Sequence, residues 1–223
     1  MSRLWWFAPW FGDEPVLERF GWHCAFANDE EMRKAHLEMG KRAPSDFPIA
    51  QLKLSLENFS LDCFRWQAYR LVSQQLRDAM ALAPRDVQYL PVNASLSAPL
   101  PRSKNYMIMH VPAVEDASDV ERSDYQIRHF EGFQREVTLP SRIAIRQGFM
   151  SQHEMFQDQF FWFVLCTDAL AVRVLQRQCT GLRFCDLDYL DNPSRFRTLR
   201  GIEEEIRDPA NSITSTRLVQ TIG

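Results

Sequence analysis

Two stretches of this chain, 69–92 and 161–187, place the same residue types in the same order, and that order restricts the folds available to it. The first reads YRLVSQQLRDAMALAPRDVQYLPV and the second FWFVLCTDALAVRVLQRQCTGLRFCDL. Each has an apolar lead-in, Leu71 and Val72 in one and Phe163 to Leu165 in the other. A hydroxyl residue follows, Ser73 or Thr167, able to accept a hydrogen bond from a free amide of a helix's first turn. Apolar residues then recur every three or four positions, Leu76, Ala79 and Met80 against Leu170, Val174 and Leu175, the spacing of a helix packing along one stripe. Each stretch ends in a polar turn and a short strand, Val87, Tyr89 and Leu90 against Leu182, Phe184 and Cys185, and Gly181 suits the turn leaving the second helix. Asp168 adds negative charge where a helix N-terminus favours it. The reading is two similar strand–helix–strand units, a degenerate internal duplication, with two unrelated helices of like composition as the alternative. The fold class that follows is α+β: a mixed or antiparallel sheet with a few packed helices.

The rest of the chain supplies strands. Arg3 to Trp10 reads as an aromatic opening strand. Asn28, with Asp29 to Glu31 behind it, reads as the start of a helix to about Met39, ended by Gly40 and Pro44. Leu52, Leu54 and Leu56 alternate with polar residues, the period of a strand, and Asp62 to Trp66 follows as another. Asn93 to Lys104 reads as a Ser- and Pro-rich loop, and Tyr106 to Pro112 as a buried strand. Glu136 to Pro140 and Arg142 to Arg146 alternate as strands. Three regions are expected: 1–47, a strand and helix packed on the main domain; 48–190, the α+β domain; and 191–223, a polar tail, loosely packed or holding one short helix around Glu203 to Ile206.

Composition excludes several functions. The net charge is −3 and the arginines are scattered, which is not the basic excess of a nucleic-acid binder. No stretch approaches the ~18 apolar residues of a membrane span. The opening MSRLWWFAPWFGDEP, broken by Pro9, Gly12, Asp13 and Glu14, does not resemble a signal peptide. Five cysteines, Cys24, Cys63, Cys166, Cys179 and Cys185, form no paired framework, and reduced thiols in the cytoplasm are the simpler reading.

Chemistry-bearing patterns are sparse. There is no phosphate loop, H-E-x-x-H or C-x-x-C motif and no nucleophile elbow. Cys179 and Cys185 lack a zinc-site spacing. His23 beside Cys24, and His153 beside Glu154, have no identifiable orienting partner. His110, inside an apolar strand, reads as a hydrogen-bonded core or edge residue. No catalytic residue, metal or cofactor is expected.

These segments together resemble a bacterial polymorphic-toxin immunity family, immunity family eleven, typified by a Myxococcus protein and first described as a domain of unknown function. The resemblance runs from Leu52 to about Leu187. It rests on VSQQLRDAM followed by VQYLPV, on a V-x-D-A-x-D-x-x-x-S segment (Val114, Asp116, Ala117, Asp119, Ser123), and on a T-G-L-x-F strand (Thr180, Gly181, Leu182, Phe184). Cys166 and Thr167 stand where the family more often has a serine cap, and the tail after Asp188 is long for it. The resemblance implies a non-enzymatic α+β protein that binds and blocks a cognate secreted toxin in the cytoplasm. Such toxins belong to contact-dependent competition, type VI secretion included. A Cys/His-dependent hydrolase and a non-toxin adaptor or structural subunit remain the alternatives.

Two stretches are candidate partner surfaces. Glu115, Asp116, Asp119, Glu121 and Asp124 could present carboxylates to a basic toxin cleft, or could cap a short helix and line a solvated face. Trp5, Trp6, Trp10 and Trp22 belong to a residue type enriched at binding hot spots, although core packing is the commoner use of such rings.

Overall fold

The computed structural model describes residues 3–11, 23–55, 61–66, 68–96, 105–129, 136–188, 190 and 196–197. Within them the fold is α+β, mostly sheet, as the patterning anticipates. The chain divides into two compact units, one of residues 9–113 and 176–182, the other of 1–8, 114–175 and 183–223.

In the first unit, β2 (His23–Phe26), β3 (Ala50–Ser55), β4 (Cys63–Trp66), β5 (Tyr69–Ser73), β6 (Gln88–Leu96) and β7 (Tyr106–His110) lie in the order β2-β3-β6-β7-β5-β4. The pairings are antiparallel except β3 with β6. The end of β1 (Leu4–Phe11) joins the edge in parallel, with Trp10 opposite Phe64. The first repeated stretch forms β5, then α2 (Gln74–Met80), then β6. Both of its strands pair antiparallel with β7, so β7 is held between them. Ser73 caps α2 as expected, accepting from Leu76 N at 3.2 Å, and Leu76, Ala79 and Met80 are buried. The other face of the sheet packs Leu71, Ile108 and Leu90 with Phe64, Tyr106 and Met32.

In this unit a buried carboxyl ties the motifs together. Asp62 Oδ1 accepts from the Ser73 hydroxyl (2.6 Å), and Oδ2 accepts from Thr180 N and Oγ1 (2.9 and 3.1 Å). Gly181 follows with φ +77°, and a Cβ there would stand 2.1 Å from the Cys63 carbonyl oxygen. The Thr-Gly pair is thus demanded by hydrogen bonding and space, since only glycine takes that conformation without a side-chain clash.

The second unit holds the beginning of β1, then β12 (Val164–Thr167), β11 (Met155–Asp158) and β8 (Val114–Glu115) in that order, with β13 (Leu182–Asp186) also beside β1. The second repeated stretch forms β12, α3 (Asp168–Gln176) and β13. Here β1 occupies the place between the two strands, the arrangement β7 has in the first stretch. Thr167 Oγ1 lies 3.4 Å from Leu170 N, and Asp168 accepts the Trp5 indole N–H at 2.8 Å. A separate hairpin, β9 (Asp124–His129) with β10 (Glu136–Arg142), is bulged at Pro140/Arg142. β13 also pairs with β14 (Phe196–Arg197).

Several expectations need correction. Helix α1 spans only Asp29–Lys34, ending at Ala35 rather than Met39. Asn28 makes no side-chain cap; its amide donates to the Ile49 carbonyl and its oxygen accepts from Gln51 N, spending the side chain on β3. Strand β6 continues through Asn93–Leu96, which the sequence assigns to a loop. Residues 143–146 form no named strand; Ile143 and Ala144 are buried and Ile145 makes a single bridge to Ser118. Glu203 to Ile206, Trp22, and residues 97–104 of the expected loop lie outside the described residues.

Candidate functional site

Segment 114–125 belongs to the second unit and is not helical. β8 pairs in parallel with β11, Val114 opposite Gln157 and Glu115 opposite Asp158. Ala117 and Ser118 are fully buried. The Ser123 hydroxyl donates to the Asp119 carbonyl (2.7 Å) and accepts from Ala144 N (2.9 Å), closing a turn before β9 begins. The V-x-D-A-x-D-x-x-x-S residues thus shape a compact loop: a small buried alanine, and a serine that satisfies backbone groups from two segments.

That loop sets out the five acidic residues, and arginines meet three of them. Asp116 pairs with Arg146 at 2.7 Å, with about half of each side chain exposed. Asp124 accepts from Arg142 Nε at 2.7 Å, a bond that raises the Arg142 pKa above its ordinary value. Asp119 accepts from Arg122 N at 3.3 Å and lies 3.8 Å from its guanidinium. Glu115 accepts from Gln152 N through one oxygen, while the other is buried with no hydrogen bond. Glu121 is exposed and has no ion-pair partner among the described residues. The surface is therefore a lattice of alternating sign with an acidic excess, not a uniform acidic patch. Its bonding also differs from the expected helix cap, because Asp119 closes a turn and Asp124 opens a strand.

Asp158 secures this loop from below. It is fully buried. Oδ1 accepts from Ser118 N (3.0 Å) and Oγ (2.7 Å), and Oδ2 accepts from Phe160 N (3.0 Å) and Phe161 N (2.7 Å). The same carboxyl thus fixes the acidic loop and the aromatic turn 159–162. Phe160, Phe161 and Tyr125 meet edge to face there, at 4.9 to 5.8 Å. Beside the loop a cleft of about 310 Å³ is lined by Arg122, Arg142, Phe149 and Asp188, with Arg3 hydrogen-bonded to Asp186. Sequence reading passes over Asp158, whose one local signal is an Asp ahead of a turn, a position from which its side chain can bond amides two and three residues on. It also passes over Arg142 and Arg146, because their partners are 18 and 30 residues distant.

The other candidate residues do not converge. Trp5 is buried, Trp6 stacks on Phe163 at 4.4 Å, and only the backbone of Trp10 is described. His23 and Cys24 hold successive positions on β2. Glu154 is held by Arg173 through two bonds of 3.0 and 2.9 Å, which leaves it paired rather than poised beside His153. His110 is buried with Nε2 2.6 Å from the Lys41 carbonyl; burial holds its pKa below the usual value, which suits a neutral ring donating there. Cys63, Cys166, Cys179 and Cys185 are buried thiols in no disulfide. Burial raises the pKa of Cys63 and of Cys166 well above a free thiol's and pushes Cys185 up to about 12, the reverse of what a nucleophilic cysteine needs. Among the described residues no three His, Cys, Asp or Glu side chains group as metal ligands, and no helix is long and apolar enough to cross a membrane.

In the first unit a larger hollow, about 910 Å³, opens between the end of α2 and β6. Arg77 lies over the Tyr89 ring at 5.3 Å, and the Tyr89 hydroxyl is buried without a hydrogen bond.

These features define an α+β protein whose second unit presents one loop of interleaved carboxylates and guanidinium groups beside an aromatic turn. The sequence model of the immunity protein family (Imm11) matches residues 34–188, and the chain belongs to that family. Its membership points to toxin immunity. No curated protein matches the chain.

Proposed function

We propose that this protein neutralises a cognate secreted toxin by binding it directly in the cytoplasm, without catalysis and with no role for nucleic acid or membrane. The observation that carries this reading is the family match over 34–188, which includes the acidic loop, Asp158 and both repeated stretches. The toxin is one delivered between cells in contact-dependent competition, type VI secretion being one route.

Glu115, Asp116, Asp119, Glu121 and Asp124 form the proposed contact surface. Their arginine partners leave the surface mildly acidic, and opposed charges at a rim speed encounter and set register more than they add affinity. Basic side chains of a toxin would extend the existing ion pairs rather than meet bare carboxylates.

Co-expression in bacteria with the toxin domain encoded beside its gene tests the proposal. Survival together with a stable purified complex is the expected outcome. Toxicity without rescue, or no complex, would return weight to an adaptor or a Cys/His enzyme. Reversing Asp116 and Asp119 to Arg is expected to slow association and to weaken rescue.

A further inference from the structure

The turn between β11 and β12 carries a side chain that the fold does not use. Trp162 is 57% exposed and Phe160 42%. The Trp162 indole makes no hydrogen bond or ring contact among the described residues. Its backbone is left-handed, at φ +62°. That conformation is uncommon for any side chain and unfavourable for a bulky one. The surrounding turn enforces it: Trp162 N donates to the Asp158 carbonyl (3.0 Å), Asp158 N to the Phe163 carbonyl (2.9 Å), and the Asp158 side chain takes the Phe160 and Phe161 amides. An exposed tryptophan is thus fixed in position by a strained, fully hydrogen-bonded turn, and strain of this kind concentrates at functional sites.

Its surroundings define what it meets. Gln159 N donates to the Glu115 carbonyl, so the turn is bonded directly to the acidic loop. Tyr125, at the loop's end, packs on Phe160, and Ile127, two residues along the same strand, is 52% exposed. The apolar ground therefore adjoins the acidic loop, whose five carboxylates outnumber the three arginines that pair with them. We propose that Trp162, flanked by Phe160, is the anchor of the toxin-binding surface, entering an apolar pocket on the toxin that is rimmed by basic residues. This rests on the immunity reading above and gives it a centre: buried aromatic anchors surrounded by a charged rim carry most of the energy in such interfaces.

The test uses the full-length protein and the toxin domain encoded beside its gene, with affinity measured by calorimetry. Trp162→Gly removes the indole and supplies the residue that favours this backbone, so the variant should melt at or above the wild-type temperature. Its affinity for the toxin should fall at least ~30-fold. Trp162→Asn, which also tolerates the left-handed region, should show the same loss. Binding within ~3-fold of wild type by both folded variants would overturn the proposal while leaving toxin immunity intact. Wild-type protein that fails to bind the toxin would overturn the immunity reading and this proposal with it. Sedimentation without toxin covers the remaining occupant: self-association that Trp162→Gly abolishes, with toxin affinity kept, would assign the surface to a second copy and overturn the proposal.

Discussion

Ser118 gives both its amide and its hydroxyl to one oxygen of Asp158, forty residues away, at 3.0 and 2.7 Å. The other oxygen of Asp158 holds Phe160 and Phe161. Replacing Asp158 by Ala would leave four donors without their acceptor, three of them in buried bonds that cost about 1–3 kcal/mol each. The expected total, after local relaxation, is a loss of about 3–5 kcal/mol, read as a fall in the midpoint of denaturant unfolding. Asp158→Asn keeps one acceptor but turns a donor toward the other pair of N–H groups, and should lie between the two.

Gly181→Ala should be among the most damaging single changes. The new Cβ would meet the Cys63 carbonyl at 2.1 Å, at a backbone φ of +77°. Overlap with backbone cannot be relieved by a rotamer change, so the cost should exceed about 4 kcal/mol. Failure to recover folded protein, against normal recovery for a surface glycine such as Gly148→Ala, would show it. Gly148 also has positive φ but open space around it, which separates clash from backbone strain.

Ser73→Ala should cost about 2–3 kcal/mol. The hydroxyl accepts from Leu76 N at the start of α2 and donates to Asp62. A lost cap costs about 1 kcal/mol, and the stranded Asp62 oxygen adds a comparable amount. Ser73→Thr, which retains the hydroxyl, should recover most of the stability in a melting experiment.

Cys63, Cys166 and Cys185 should not react with a thiol reagent in the native protein. Their pKa values are raised by burial, Cys185 to about 12. In a Cys24→Ser background, labelling at pH 8 should require unfolding. The same shifts set a pH dependence. Above pH ~9 the unfolded thiols lose protons that the folded ones keep, so folding stability falls, by about 1.4 kcal/mol per pH unit for each thiol, until the folded pKa is reached. Chemical denaturation at pH 8 and pH 10 should show this fall, reduced in Cys185→Ala relative to its own value at pH 8.

What could be read from the sequence was local. Ser73 and Thr167 disclose their helices because a cap and its amide lie three residues apart, and β5, β7 and β12 disclose themselves as short apolar runs. Asn28 misleads for the same reason: its position invites a cap, but its partners Ile49 and Gln51 arrive at the start of β3 and take the side chain. The acidic loop reads as charge alone, because Arg142 arrives at the end of β10 and Arg146 from beyond the β9–β10 hairpin. Trp162 sits inside F-F-W-F, directly before the apolar lead-in Phe163 to Leu165, and carries no separate signal. Nothing in those letters shows that Asp158 holds the turn in which Trp162 takes a left-handed step and both Phe160 and Trp162 are exposed.

The hydrogen bonds between Asp62 and Thr180 join residues 118 positions apart. A ribosome makes the chain from its N-terminus, so Asp62 emerges long before the residue that satisfies it. Until Thr180 is synthesised, that carboxyl and the Cys63 amide that Thr180 accepts must stay solvated or be covered by something else. The first unit can therefore close only after Thr180 has been made, 118 residues behind its partner. A nascent or truncated chain that lacks this residue leaves the unit open, and newly made molecules pass through an interval of vulnerability to proteases before the fold is complete.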